Sequence, residues 1–318
     1  MTISNNSQNL CSLNSKSQHC LPKSIINSIS TFLSDDFYKA NNLDNKHNIQ
    51  IINLLAKQCN CPEDYSLQEK EIFILKNLRD DNKNTELGDL AEKILLKYFK
   101  PTAKRLDGDY WLNNTEIDFI QYQFQINFTG YYYSYIHMID LNMYDPNNKN
   151  HILNHNKIVP INSINFINEL KNINSQLTYN GKLKNYGIVC NTDLSSGSGI
   201  HWFSIFIDFT ASPITIEYFN SSGYDLTYGR HKSERHKFYK FFINLSDDLN
   251  RNGFKSEFIK VTDIEHQRSD TANCGSYSLF YIWRRLNKLP YTYFKNNKIT
   301  DEDMEKFRTF LWRKSIKS

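Results

Sequence analysis

Two kinds of hydrophobic spacing divide the chain. In its first third, apolar residues recur at helical intervals: Ile25, Ile26, Ile29, Phe32 and Leu33, then Ile51, Ile52, Leu54 and Leu55. Leu87, Leu90, Ala91, Ile94, Leu95 and Tyr98 continue the pattern on one helical face that ends near Pro101. Asn113 or Thr115 with Glu116 close behind reads as a further helix start, with Ile117, Ile120 and Phe124 as its inner stripe. The aromatic stretch from Gly130 to His137 is strand-like. From Asn185 onward the pattern turns to short apolar runs: Tyr186–Cys190, His201–Asp208 and Ile214–Phe219. The last two flank the turn Thr210-Ala-Ser-Pro213, so they are expected to pair as an antiparallel hairpin. A helix around Phe238 to Leu249, a strand at Phe258–Val261 and a helix opening at Cys274 follow. The order describes an α+β domain with a mixed sheet. Three segments are expected: an Asn/Ser/Gln-rich disordered tail (1–20), a helical N-terminal region (21–84) and a main domain (85–318), with a junction at Asn82-Lys-Asn-Thr85.

Composition narrows the classes of function. Lys and Arg number 38 against 34 Asp and Glu, and the net charge of +4 comes without a long basic run, so nucleic acid is not indicated as the main partner. No apolar run approaches the roughly 20 residues of a membrane span, and the first residues lack a signal-peptide pattern. The six cysteines (11, 20, 59, 61, 190 and 274) are scattered, unlike a disulfide framework, which points to a reducing, intracellular setting. Cys59-Asn-Cys61 and the pairs His151/His155 and His231/His236 lack the further ligands a metal site needs, so neither metal nor cofactor is expected. His137, in the aromatic stretch, reads as a packing residue.

The candidate chemistry centres on Cys274. Leu279, Phe280, Trp283 and Leu286 give its helix a buried face, placing Cys274 in the first turn. There the positive end of the helix dipole and the free backbone N–H groups favour a thiolate. A cysteine at such a place is more often packing than nucleophile, and what raises this one is the set of partners. His201 opens a strand and Asn220 closes the next, so antiparallel pairing would bring them together and let the Asn220 oxygen fix the imidazole tautomer. Gln267 lies seven residues before Cys274 (274 − 267), and its amide with the Cys274 backbone N–H would form an oxyanion hole. Each residue alone has a plain structural reading as well: a capping Asn, a strand-end His, a polar loop Gln.

The order His, Asn, Gln, Cys resembles the Ulp1/adenain-like cysteine proteases. Four segments carry the resemblance: Trp111-Leu-Asn-Asn with Ile117-Asp118, Asn191 through Gly199-Ile-His201-Trp202, Tyr218-Phe-Asn-Ser-Ser-Gly223, and His266-Gln267 with Asn273-Cys274-Gly275. It implies a mixed central sheet flanked by helices, with His201, Asn220, Gln267 and Cys274 catalytic and no cofactor. It also implies that Trp111 and Trp202 roof a channel admitting only Gly-Gly before the cleaved bond, since flat aromatic faces pressed on a backbone leave no room for a Cβ. Asn220 stands where the family usually has Asp. That departure, the Gln-to-Cys spacing, the Asn-rich composition and the unmatched N-terminal region lean toward the polyprotein-processing proteases of large DNA viruses. The expected function is then an endopeptidase cutting viral structural precursors after Gly-Gly-type sites, in host cytoplasm and virion. A SUMO- or ubiquitin-like deconjugase is the alternative, an acyltransferase of related layout a third. A nucleic-acid activator is not indicated, and the sequence leaves the oligomeric state open.

Overall fold

The computed structural model describes residues 20–33, 48–101, 109–144, 158–160, 183–261 and 263–312. The expected tail before Cys20, the Asn-rich loop with His151 and His155, and the basic end after Trp312 lie outside them. Two compact units divide at 102–103.

The first unit is helical: α1 (Lys23–Leu33), α2 (Asn48–Gln58), α3 (Leu67–Asp81) and α4 (Glu86–Tyr98). Ile26, Ile29, Ile51, Ile52, Leu55, Ile72, Leu75, Leu78, Ala91 and Ile94 form one buried cluster, as their helical spacing requires. The expected junction at 82–85 is a turn inside this unit. Leu78 O accepts from Asn82 Nδ2 at 2.9 Å and Thr85 caps α4, so α3 and α4 form a hairpin on one core, and the chain leaves the unit only after α4. Cys20 is disulfide-bonded, unlike the free thiols Cys59, Cys61, Cys190 and Cys274.

Glu71 is fully buried, and its carboxylate accepts from the Cys20 and Leu21 N–H groups. Burial outweighs those bonds and lifts its pKa from 4.5 to about 7. A raised carboxyl pKa means the folded state holds the proton more tightly, so stability is lost as pH rises between these two values. Glu71→Gln should flatten that slope relative to wild type in thermal melts across pH 4.5 to 7.

The second unit carries α5 (Asn114–Asn127), then β1 (Tyr131–Tyr133), β2 (His137–Met138), β3 (Asn142–Tyr144) and β4 (Ile158–Pro160). There follow β5 (Asn185–Asn191), β6 (Trp202–Asp208), β7 (Ile214–Phe219), α6 (Lys232–Arg251) and β8 (Ser256–Lys260), and then α7 (Cys274–Leu286), α8 (Tyr291–Asn296) and α9 (Asp301–Leu311). α5 begins at the anticipated helix start with a capping box, Asn113 and Glu116 exchanging side-chain to backbone bonds at 3.0 and 2.9 Å. The aromatic stretch is two strands, not one. β1 and β2 pair in turn with the two ends of β5, and Ser134 between them donates its N–H to Gly187 O. His137 is buried and bonded to Ser134, a packing residue.

Strand order is β4-β3-β2-β5-β6-β7-β8, mixed in direction: β5, β6 and β7 are antiparallel in turn, while β1 and β2 run parallel to β5 and β8 parallel to β7. The period-two alternation of β6 and β7 sorts the residues between the two faces. Phe203, Ile205, Ile207, Ile216 and Tyr218 join Phe238, Phe242 and Leu245 of α6 in one core. On the other face Phe206 lies under the Arg285 guanidinium at 5.3 Å, and Phe219 stacks on Tyr281 of α7 at 4.5 Å. Coverage on both sides explains why the central strands read as nearly continuous apolar runs. Each fully buried Phe or Ile here contributes roughly 1.5–3 kcal/mol.

α7 is locked to the sheet by polar contacts as well. Arg285 donates Nε and Nη2 to the two oxygens of Glu217 at 2.7 and 2.8 Å, and Nη2 also to Asp208 at 3.2 Å. Tyr281 adds its hydroxyl to Glu217 at 2.6 Å. This fork fixes the rotation of α7, and so the direction in which its first residue points.

Candidate active site

The hairpin register places the first two residues. Ser204 pairs with Phe219, so His201 just before β6 and Asn220 just after β7 fall at one end of the sheet. His201 Nε2 lies 2.7 Å from Asn220 Oδ1. The orientation of the Asn220 amide follows from its other partners. Oδ1 accepts from the Ser222 backbone N–H at 3.1 Å, a group that can only donate. Nδ2 points at Tyr224 O at 3.3 Å, which can only accept, and at the Tyr218 hydroxyl at 3.0 Å. Oδ1 therefore faces His201, and Nε2 carries the proton. The neutral ring is left with its Nδ1 lone pair for the thiol.

Cys274 stands at the start of α7, buried, and hydrogen bonds to His201. Burial pushes its pKa up, but the His201 bond and charge, with the N–H groups of Trp202 and Gly275, bring it below 9.0. Burial alone would lower the pKa of His201. The Cys274 bond and charge and the Asn220 bond outweigh it and raise the pKa above 6.5. Both shifts favour the thiolate–imidazolium pair.

Gln267 reaches the same cleft on a loop folded back over the Asn220 turn. Ser221 O accepts the His266 and Gln267 N–H groups at 2.8 and 3.0 Å, and Ser221 Oγ donates to Gln267 Oε1 at 2.8 Å. Gln267 Nε2 gives one N–H to Thr271 O at 2.7 Å and has a second to offer. Gly223 allows the two segments to cross. Its φ is +74°, and a Cβ would stand 3.0 Å from Glu265 N.

His201, Asn220, Gln267, Cys274 and Trp111 all line one cleft of about 560 Å³. Trp111 is half exposed at its edge. Trp202 is placed differently from Trp111. It is 5% exposed, donates Nε1 to Leu112 O at 3.0 Å, and is not among the residues lining the cleft. Its ring packs near Gly275, where an added Cβ would meet Leu112 at 3.2 Å and Trp202 at 3.3 Å.

Several supporting residues escaped sequence reasoning. Ser221 sits inside a segment singled out for Asn220, yet nothing in its type announces a link to Gln267. Asp301 and Arg308 lie beyond all the motifs. Asp301 accepts from Thr271 and Asn273 at 2.8 and 2.9 Å, while the fully buried Arg308 donates to Asn273 Oδ1 at 3.0 Å and to Ala272 O at 3.1 Å. Arg308 also holds Tyr110 O at 2.8 Å, beside Trp111. A charged residue on the inner stripe of a terminal helix was the available signal.

Chain order and geometry now coincide: His201, Asn220, Gln267 and Cys274 meet in one cleft. Residues 189–316 match the Ulp1 protease family, C-terminal catalytic domain. The fold is Ulp1-like, with its mixed sheet between helices, and the first unit supplies the helical N-terminal region. The SUMO-1 cysteine protease of African swine fever virus (isolate Pig/Kenya/KEN-50/1950) is 42% identical over 128 residues, which are 40% of this chain and 44% of that protein. The chain thus matches under half the length of such relatives. The crystal structure of the selenomethionine form of the African swine fever virus protease aligns with a TM-score of 0.55 at 25% identity, covering 93% of this chain and 92% of that one. A second crystal structure of that protease aligns at 0.54, again 25% identical, over 95% and 93%.

The amide at position 220 invites a test. Asn220→Ala should lower turnover at least tenfold, because nothing then fixes the His201 tautomer. Asn220→Asp should retain more activity than Ala, since one oxygen still accepts from Nε2. It should also cost stability, because its second oxygen would face Tyr224 O, which now accepts from Nδ2 at 3.3 Å. Steady-state kinetics and melting curves on both variants decide it.

Proposed function

We propose that the protein is a cysteine endopeptidase that cuts after Gly-Gly-type sites, processing viral structural precursors. The observation that carries the reading is the His201 ring, held by Asn220 Oδ1 at 2.7 Å and hydrogen-bonded to Cys274.

The chemistry follows from the protonation states. Cys274 gives its proton to His201 Nδ1 and the thiolate adds to the scissile carbonyl carbon. The oxygen that becomes negative takes hydrogen bonds from the second Gln267 N–H and the Cys274 backbone N–H. His201 then passes its Nδ1 proton to the leaving amine, the C–N bond breaks, and a thioester remains on Cys274. Water adds to the thioester as His201 takes its proton. Collapse releases the new carboxylate, and the protein returns to its starting state. Asn220 carries no charge, so it orients the ring and stabilises imidazolium less than a carboxylate would.

Trp111, exposed at the cleft edge, is the residue placed to close over a substrate backbone. Trp202 acts from below, through its backbone N–H to the thiolate and its packing near Gly275. Peptides carrying Gly-Gly before the cut should be cleaved, and replacing either glycine by Ala should reduce kcat/KM at least tenfold. Cys274→Ala should cleave nothing. Cleavage that tolerates Ala at both positions would remove the glycine requirement while leaving the peptidase in place.

The deconjugase reading is favoured by one observation, the SUMO-1 in the name of the African swine fever virus relative. A SUMO-1 vinyl sulfone probe separates the two. Stoichiometric labelling of Cys274 supports deconjugation, and inertness alongside cleavage of Gly-Gly peptides supports precursor processing.

A further inference from the structure

The cleft wall holds a buried cation that the reaction above does not use. Arg235, in the first turn of α6, is 7% exposed and lines the cleft together with His201 and Cys274. Its guanidinium bonds only to carbonyl oxygens: Nε to Arg230 O at 2.6 Å, Nη1 to Leu226 O and Nη2 to Thr192 O, both at 3.4 Å. Three of five N–H groups are used, and none meets a negative charge.

The surrounding charges leave it that way. Among the described residues no carboxylate forms an ion pair with Arg235 or with Arg230, whose side chain is exposed on the same wall. Asp193 faces His231 at 3.4 Å, and Arg268 across the cleft already has Asp270, Asp301 and Glu302. Glu265, the carboxylate lining the cleft, is exposed and joins neither arginine. A guanidinium withdrawn from water without a counter-charge is costly, and a ligand carboxylate would offset that cost.

We propose that Arg235, with Arg230 beside it, forms an anion subsite that takes an acidic side chain of the peptide substrate. This rests on the peptidase reading and names part of its specificity. A polynucleotide fits less well, because Arg235 is nearly enclosed in the cleft that holds the nucleophile, whereas a single carboxylate side chain can enter it. The subsite also bears on the chemistry. The Arg235 charge opposes imidazolium formation at His201, and a bound carboxylate would cancel that opposition, so the acidic residue should raise kcat as well as lower KM.

The test uses matched peptide pairs, Glu against Gln, at each position within about five residues of the cleaved bond. For the wild-type full chain, one position should favour Glu about tenfold in kcat/KM, the preference shrinking as salt is added. Arg235→Gln should bring the ratio near one and Arg230→Gln should reduce it, while Arg235→Lys should keep part of it. Because Arg235 also ties its loop down, the readout is the Glu/Gln ratio within each variant, from which a general loss of activity cancels. Cleavage without a Glu preference at any position overturns the subsite, as does a preference that both Gln variants retain. Competition by a single-stranded oligonucleotide that depends on both arginines, with no Glu preference, assigns the wall to nucleic acid instead. If no peptide is cleaved at all, the peptidase reading fails first, and the subsite with it.

Discussion

His201→Ala should reduce turnover of a cleavable peptide by three orders of magnitude or more, because the variant loses both the base for Cys274 and the acid for the leaving amine. The same variant should change the thiol itself. In wild type, the pH profile for alkylation of Cys274 by iodoacetamide should have its midpoint below pH 9.0, since His201 favours the thiolate. Without the imidazolium, burial is opposed only by the Trp202 and Gly275 N–H groups, so the alkylation profile should move to higher pH. The sign follows from linkage: removing a group that favours the charged thiolate raises the thiol pKa. An alkylation profile unchanged in His201→Ala would show that the helix start alone sets the thiolate, and that the histidine pairing does not.

Arg285→Ala should be the most damaging change away from the cleft, costing about 3–5 kcal/mol, because it leaves the fully buried Glu217 carboxylate without its cation. For a unit of this size that corresponds to a fall of roughly 6–20 °C in Tm. Burial works against the Arg285 charge, but its bonds to Glu217 outweigh burial and raise its pKa. Replacing the pair together, Glu217→Leu with Arg285→Met, should be far milder than either single loss, since the fully buried charge is then gone and the less buried Asp208 carboxylate keeps its bonds from Asn185 and Thr210. Calorimetry on the three variants measures this. A single variant that melts within 2 °C of wild type would mean that water reaches the site and solvates the orphaned charge.

The proposed catalytic centre was legible because its members sit where local pattern changes: a strand start, a strand end, a loop and a helix start. His201 and Asn220 came together for a reason readable in advance, the register forced on a hairpin by one turn. Beyond that, legibility fell wherever position depended on distant chain. The break at 134–136 came from both halves of the aromatic stretch pairing with one strand, β5, which begins 54 residues on (185 − 131). The turn at 82–85 looked like a boundary because turn residues look alike whether they join helices or units. Trp202 shows the same limit. An aromatic next to the histidine reads as a gate, yet its hydrogen bond to Leu112, 90 residues earlier, draws it beneath the nucleophile.

The last helix gives the arrangement an unexpected outer edge. A chain cut before Thr300 would retain His201, Asn220, Gln267 and Cys274, all four residues of the proposed chemistry, yet it would lack Asp301 and Arg308. The nucleophile loop would lose its anchors at Thr271, Ala272 and Asn273 together, and the backbone leading to Trp111 would lose its tie as well. If the proposed chemistry holds, the smallest active piece ends well past Cys274, and fraying of the C-terminal helix would act as a brake on it.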